Sequence, residues 1–311
     1  MSLLKKEKKE TPQASINRTD LLLILFVTIA WGLNYPVMKF AVKSYPPITF
    51  RTLSFIIGIA TIGFLIWKDG QTFKVPVNER YKVWKLSLGS MVCWHFGLIF
   101  GVLLLQSGRA AIIGYTMPVW ALLSGVIFYG AKFTWRGSVG VVFALSATML
   151  LAATESATIL GAPLGLIVML AAAACWGMGT VMMKHIHVSI TNLLMTFWTL
   201  VIALGFFIIA AIIFERDQWR MPSLTEWLAI FYGGLIGFAF CYVAWFRVAR
   251  KLPPVVSGLS IMLVPVVGVF SSALLLGEKI GGYDYLALIF ILAAMLAVLV
   301  PTSAKTESKN T

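Results

Sequence analysis

Charge is what this sequence has least of. Charged residues make up 12% of its 311, against about 25% in soluble globular chains. Acid is scarcest, with 12 Asp+Glu against 25 Lys+Arg. A water-soluble fold of this length needs far more polar surface, so a soluble enzyme or binding domain is excluded and most of the chain must be solvated by lipid. Cysteine is nearly absent. Cys93, Cys175 and Cys241 each sit in an apolar run without CxxC spacing. That argues against a disulfide framework and a zinc site, and all three are read as buried small apolar residues. No Gly-rich phosphate loop, HExxH or GxSxG occurs, so enzyme signatures and the nucleotide machinery of ATP-driven transport are both missing. No metal and no cofactor is expected. No small-residue cleavage signature follows the first apolar run, and no removable leader is expected. The formal net charge of +13 would suggest nucleic acid in a soluble chain, but no stretch is both basic and long enough to present such a face.

What the sequence does have is apolar length. Hydrophobic residues are 59% of the chain and the mean hydropathy is +0.90. A helix needs about 20 apolar residues to cross a bilayer. Ten such runs are predicted, over 20–40, 47–67, 83–105, 109–129, 135–153, 163–183, 191–213, 225–246, 255–276 and 284–301. Their connections are short, so no separate soluble domain is expected. Residues 1–19 and 302–311 read as polar, solvated tails, the first of them disordered. The basic residues set the orientation. With the N-terminus in the cytoplasm, the cytoplasmic segments hold 18 of them, among them Lys5, Lys6, Lys8, Lys9, Lys82, Lys132, Arg136 and Arg247; the other face holds Lys39, Lys43, Arg109, Arg216, Arg220 and Lys279. Arg51 lies inside a span. Both termini are therefore predicted to be cytoplasmic.

An internal repeat organises these runs. Trp31-Gly32-Leu33-Asn34-Tyr35-Pro36-Val37-Met38-Lys39 is answered 145 residues later by Trp176-Gly177-Met178-Gly179-Thr180-Val181-Met182-Met183-Lys184. Tyr115-Thr116-Met117-Pro118 is answered at an offset of 147 by Met262-Leu263-Val264-Pro265, and Gly130-Ala131-Lys132 at the same offset by Gly277-Glu278-Lys279. Each unit, over 20–154 and 162–301, holds five helices. Five is odd, so the second unit enters the membrane the opposite way round. This construction serves alternating access in many secondary transporters, with the substrate site between the halves near the midplane.

These residues resemble the EamA domains of the drug/metabolite transporter superfamily: two tandem five-helix units, each with Trp-Gly in its first helix, a proline in its fourth, and Gly277-Glu278-Lys279 after the fourth helix of the second. Gly108-Arg109-Ala110-Ala111 leading to Tyr115-Thr116-Met117-Pro118-Val119-Trp120 is similar as well. The resemblance covers about 20–301. One departure is Ala131, where the first unit lacks the motif's Glu. The resemblance implies that helices 1–4 and 6–9 surround a central cavity while helices 5 and 10 lie outside it. It also implies that the bacterial members mostly export small metabolites, notably amino acids.

Ionisable groups within spans are expensive and therefore candidates for function. His95 lies deepest, in Met91-Val92-Cys93-Trp94-His95-Phe96. It is read as a substrate ligand or proton carrier, or else as a neutral imidazole bonded across a helix contact; at most one of Trp94 and Phe96 can share its side of the helix. Asn34 and Tyr35 lie beside Pro36, whose missing N–H frees a carbonyl and kinks the axis. With Trp31 they form the expected wall of a binding site, with Trp176 as its counterpart. Tyr115 and Trp120 flank one fourth-helix proline and Ser260 precedes the other. Phe238 and Tyr242, four apart on the eighth helix, share a face suited to a cavity, to core packing or to lipid. Pro36, Pro118 and Pro265 are candidate gating hinges, with static kinks as the alternative. Lys39, Lys184, Arg51 and Arg109 are read chiefly as interfacial anchors. The two arginines alternatively attract an anion or carboxylate.

The sequence thus points to an all-α membrane protein of ten transmembrane helices in two inverted repeats, set in a bacterial inner membrane. Its expected function is secondary transport of a small organic metabolite, with amino-acid export foremost; uptake of a neutral or cationic nutrient and drug efflux are the alternatives. The implied partners are a small-molecule substrate and the lipid bilayer, without nucleic acid. Small-residue helix faces leave a homodimer open.

Overall fold

The computed structural model describes residues 18–155, 162–249 and 261–299. Residues 1–17, the C-terminal tail and Ser260 lie outside them, and Arg18 and Thr19, read as tail from the sequence, open the first helix. Among the described residues there are ten long helices and no strand. They are α1 (Arg18–Val42), α2 (Pro47–Lys68), α3 (Val77–Leu104), α4 (Ser107–Tyr129), α5 (Trp135–Glu155), α6 (Ala162–His185), α7 (Asn192–Phe214), α8 (Leu224–Trp245), α9 (Ile261–Leu276) and α10 (Gly282–Leu299). All but α9 are long and apolar enough to cross a bilayer. The helix α3 starts six residues before the predicted 83, because its first turns, Val77-Asn78-Glu79-Arg80-Tyr81, are polar and carry it past the apolar zone.

Two faces can be named from the chain itself. The N-face holds the start of α1; the far face holds its end. The helix α5 packs chiefly against α10, and the pair meets the other helices mainly at α4, while α1 packs on α8 and α9, α2 on α7 and α8, α3 on α6 and α7, and α4 on α6 and α9. Each helix of the inner eight is thereby clamped by helices of the other half. Exposed aromatics mark the two levels where such a bundle meets water: Trp67, Tyr81, Trp84 and Trp135 toward the N-face, Trp219, Tyr283 and Tyr285 toward the far face. The cysteines depart from expectation. Only Cys241 is buried; Cys175 is half-buried and Cys93 is exposed on the outer surface of the bundle, where lipid takes a small apolar group as readily as a core does.

The repeat is visible in backbone detail. The fourth helices are both interrupted. In α4, Ser107–Gly114 stops at Tyr115 and Thr116, and Met117–Tyr129 resumes with Pro118 in its first turn. In α9 a short 3₁₀ turn, Ile261–Leu263, precedes Val264–Leu276 with Pro265 in its first turn. Thr116 (φ −71°, ψ −10°) and Leu263 (φ −78°, ψ −9°) have nearly the same conformation. A proline fits there because the first-turn N–H has no helical acceptor. Each helix ends on a left-handed glycine, Gly130 (φ 66°) and Gly277 (φ 67°), the conformation that favours Gly. Pro36 behaves differently and lies inside the unbroken α1. The third helices share a π-helical stretch, Leu88–Val92 in α3 and Tyr232–Phe240 in α8. Such bulges disturb the backbone ladder and occur often at functional sites.

The Trp-Gly pairs have a packing reason. A Cβ on Gly177 would lie 2.7 Å from the backbone N of Ala121 and the O of Met117 in α4; a Cβ on Gly32 would lie 2.5 Å from the side chain of Val267 in α9. Each glycine lets the first helix of one half cross the fourth helix of the other at backbone contact.

Candidate functional site

The eight inner helices enclose a cavity of about 320 Å³. Every one of α1–α4 and α6–α9 contributes to its wall, and neither α5 nor α10 does. Eight of the residues singled out from the sequence line it: Trp31, Asn34, Tyr35, His95, Tyr115, Trp176, Phe238 and Tyr242. Trp120 does not. Its indole Nε1 donates to Thr116 Oγ1 at 3.1 Å and its Cβ rests at the Gly177 crossing. Ser260 lies outside the described residues.

The wall is mostly aromatic. Trp31 meets Tyr242 at 5.9 Å and Trp245 at 6.0 Å between ring centroids, and Trp94 meets Trp176 at 5.3 Å. The Trp31 indole donates to the Gly237 carbonyl at 3.3 Å, inside the π-helical stretch of α8. His95 lies 5.2 Å from the ring of Phe55 and 5.1 Å from that of Phe238, edge to face with both. Of its two aromatic neighbours, Trp94 reaches the cavity, whereas Phe96 stacks on Phe207 at 3.9 Å.

Several lining residues escape a reading of the sequence. Met195, Thr196 and Thr199 of α7 line the cavity toward the N-face. Their trace was the pair of threonines three apart in the most apolar helix of the chain. Ser90, Met91 and Gly233 enter through the π-helical stretches, which no residue pattern announces.

The charged residues depart from their expected roles. Arg51 is no interfacial anchor: it is 2% exposed and lines the cavity. Lys39 does not snorkel to headgroups; its Nζ donates to the carbonyls of Leu103 and Leu105 at 2.7 Å, closing the C-terminal end of α3. Arg109 pairs with Asp284 through Nε at 2.7 Å. Lys184 is exposed at the end of α6, as an anchor would be.

The cavity leans toward the N-face. There its lining reaches Met183 and Met195, at the end of α6 and the start of α7, whereas toward the far face it stops at Arg51 and Tyr115. Beyond that level the halves are laced together. Glu215 accepts from the backbone N of Ile48 and Thr49 at 2.8 and 2.6 Å, capping α2. Glu278 accepts from Ser107 N, Ser107 Oγ and Gly108 N, capping α4. Arg220 binds Glu226, which accepts from Ser44 Oγ at 2.8 Å; this carboxylate holds the Arg220 guanidinium above its usual range. Beside them, burial raises the Tyr45 hydroxyl against the opposing pull of Arg220. Carboxylates at helix N-termini are favoured by the free N–H groups there.

One of these contacts recurs at the opposite face. Ser189 Oγ donates to Glu79 at 2.9 Å, and Ser189 and Glu79 are offset from Ser44 and Glu226 by 145 and 147 residues. The carboxylates that cap and pair with α4 have no such twins: the first unit has Ala131 and Gly137 where the second has Glu278 and Asp284.

Comparison with known proteins agrees with this architecture. The model of the EamA-like transporter family matches residues 18–153 and 163–300. An uncharacterised transporter of Bacillus subtilis, YoaV, is 25% identical over 264 residues, 83% of this chain and 88% of its own. A protein of Escherichia coli named "Probable amino-acid metabolite efflux pump" is 25% identical over 291 residues, 90% of this chain and 94% of its own. A solved crystal structure superposes with a TM-score of 0.64 at 18% identity, covering 90% of this chain and 97% of that one, which speaks to the fold. With both halves matched, this chain is a multi-pass membrane transporter, not an enzyme, and belongs to the EamA-like transporter family.

Proposed function

We propose that the protein is a secondary transporter that exports a small organic metabolite, an amino acid or a related compound, by alternating access. The observation that carries this is the cavity walled by both halves, whose lining among the described residues extends farther toward the N-face than toward the far face. Solute enters from the N-face, rests among the aromatic rings, and leaves when the far-face contacts separate and the N-face closes. Without nucleotide machinery the energy comes from a gradient or from exchange. The low charge of the wall suits an amphipathic solute and disfavours a phosphate ester, which wants several converging cations. The relative whose name is that of an amino-acid metabolite efflux pump supports the solute class. The excess of basic residues on the N-face supports cytoplasmic termini in a bacterial inner membrane, and a cavity leaning that way then loads from inside.

The test is counterflow in proteoliposomes with purified protein and radiolabelled amino acids, purines and quaternary amines. A saturable amino-acid signal is the expected result. Signal for quaternary amines alone would replace the solute class, and silence from folded, inserted protein would overturn the reading. Reporter fusions to the C-terminus, active on one side only, check the orientation.

A further inference from the structure

Two polar side chains in the cavity wall carry buried nitrogens without a hydrogen-bond partner. Arg51, 2% exposed, has no hydrogen-bond acceptor at Nε, and His95, 4% exposed, has none and no donor at either ring nitrogen. The contacts Arg51 does make are soft ones: its Nη2 donates to the Met38 sulfur, and its Cζ lies 5.4 Å from the ring centroid of Phe238 and 6.0 Å from that of Phe50. Phe238 also faces His95 at 5.1 Å. The two groups, from α2 and α3, therefore converge on one ring of α8. Buried polar groups in folded proteins are almost always hydrogen-bonded, and a buried guanidinium nearly always meets an anion. Among the described residues no Asp or Glu lines the cavity, and the acidic ones stand at or near helix ends, several already engaged in the far-face contacts. No anion among the described residues fills this site, which leaves it open to one carried by the solute.

We propose that the transported solute is held by a carboxylate seated on Arg51 and His95, and that this carboxylate is the one charge the site demands. A guanidinium presents its donors in a planar fork that fits a carboxylate. One arginine without a lysine beside it balances a single negative charge. With no acid in the wall, an ammonium on the solute gains no ion pair, so amino acids and their deaminated counterparts are both accepted, while amines, which meet only Arg51, are rejected. The apolar part of the solute lies among Trp31, Trp94, Trp176 and Tyr242. The volume of about 320 Å³ is at the small end of ligand pockets, which run from about 300 Å³ upward. The inference rests on the transport reading above and narrows it.

The experiment is a charge series on constant skeletons: phenylalanine, 3-phenylpropionate and phenethylamine; leucine, 4-methylpentanoate and 3-methylbutylamine. Each is tested on the purified full chain for a ligand-induced rise in melting temperature and for inhibition of counterflow of any solute the protein moves. The expected result is that in at least one series the acid and the zwitterion act within a few-fold of each other while the amine is at least ten times weaker. In Arg51→Gln the response to the acid falls by tenfold or more, Arg51→Lys keeps part of it, and His95→Gln weakens it several-fold. An amine that binds as well as its acid overturns the proposal, as does an Arg51→Gln protein that binds the acid within twofold of wild type. Should Arg51→Gln fail to fold, the wild-type series and Arg51→Lys decide. Transport of a neutral or cationic solute with no response to any carboxylate sinks this inference and leaves the transport reading standing; no transport of any solute sinks both.

Discussion

A side chain absent at the right position does as much here as one present. At Gly177 the α4 backbone comes so near that even a methyl group collides with main-chain atoms, which cannot swing aside. Gly177→Ala is therefore expected to destabilise the protein by about 1–3 kcal/mol, the usual cost of overpacking. Gly205, in the middle of α7, has no neighbour within 4 Å of such a methyl. Gly205→Ala should be neutral or stabilising by up to about 1 kcal/mol, since Ala is the better helix former. Melting followed by size-exclusion recovery in detergent separates the two, and equal melting temperatures would undo the steric account. The same reasoning applies to Trp120, which the sequence suggested for the cavity: its place is at this crossing.

At the scale of an element, the question is whether the matched breaks in α4 and α9 move. Both prolines occupy first-turn positions, where the backbone N–H has no helical acceptor to lose. Replacing one by Ala restores a donor without breaking a bond, so Pro118→Ala should keep its stability within about 1 kcal/mol. If the break is a hinge, Pro118→Ala with Pro265→Ala slows counterflow several-fold at an unchanged melting temperature. Unchanged rates would reduce the breaks to static kinks. Helix starts give a second check. Ser223 caps α8 in a reciprocal pair with Glu226, which accepts from Ser223 N at 2.7 Å. Ser223→Ala should cost about 0.5–2 kcal/mol, visible as a lower melting temperature.

For the whole molecule, the asymmetry between the faces matters most. At the far face Glu278 caps α4 across the repeat boundary and Asp284 holds Arg109; the first unit offers Ala131 and Gly137 in their places. Charge-assisted contacts present in one state only shift the balance toward that state. Glu278→Gln with Asp284→Asn should therefore favour opening of the far face. In vesicles of known orientation, and with Cys93, Cys175 and Cys241 replaced, Tyr115→Cys should label several-fold faster from the far face when those substitutions are added, and Met195→Cys more slowly from the N-face. No change in either rate would remove these contacts from the gate.

Much of this was legible in one dimension. Ten helices, two repeats and the Trp-Gly, proline and Gly-Glu-Lys landmarks follow from local composition and from self-similarity, because a bilayer forces each apolar run to satisfy its own backbone as a helix. Trp31, Asn34, Tyr35, His95, Tyr115, Trp176, Phe238 and Tyr242 could be picked because bulky aromatic or polar groups deep in an apolar helix have few other uses. The partners of charge could not be picked. Arg51 and Arg109 look alike in sequence, both close to a helix start, yet one is paired with Asp284 and the other is buried without an acid. Which it would be depends on how α2, α8 and α10 pack, through contacts more than 170 residues apart in the chain. The π-helical stretches and the lean of the cavity toward one face are likewise properties of packing. Periodicity determines which residues can face inward; only the assembled helices decide what each of them meets there.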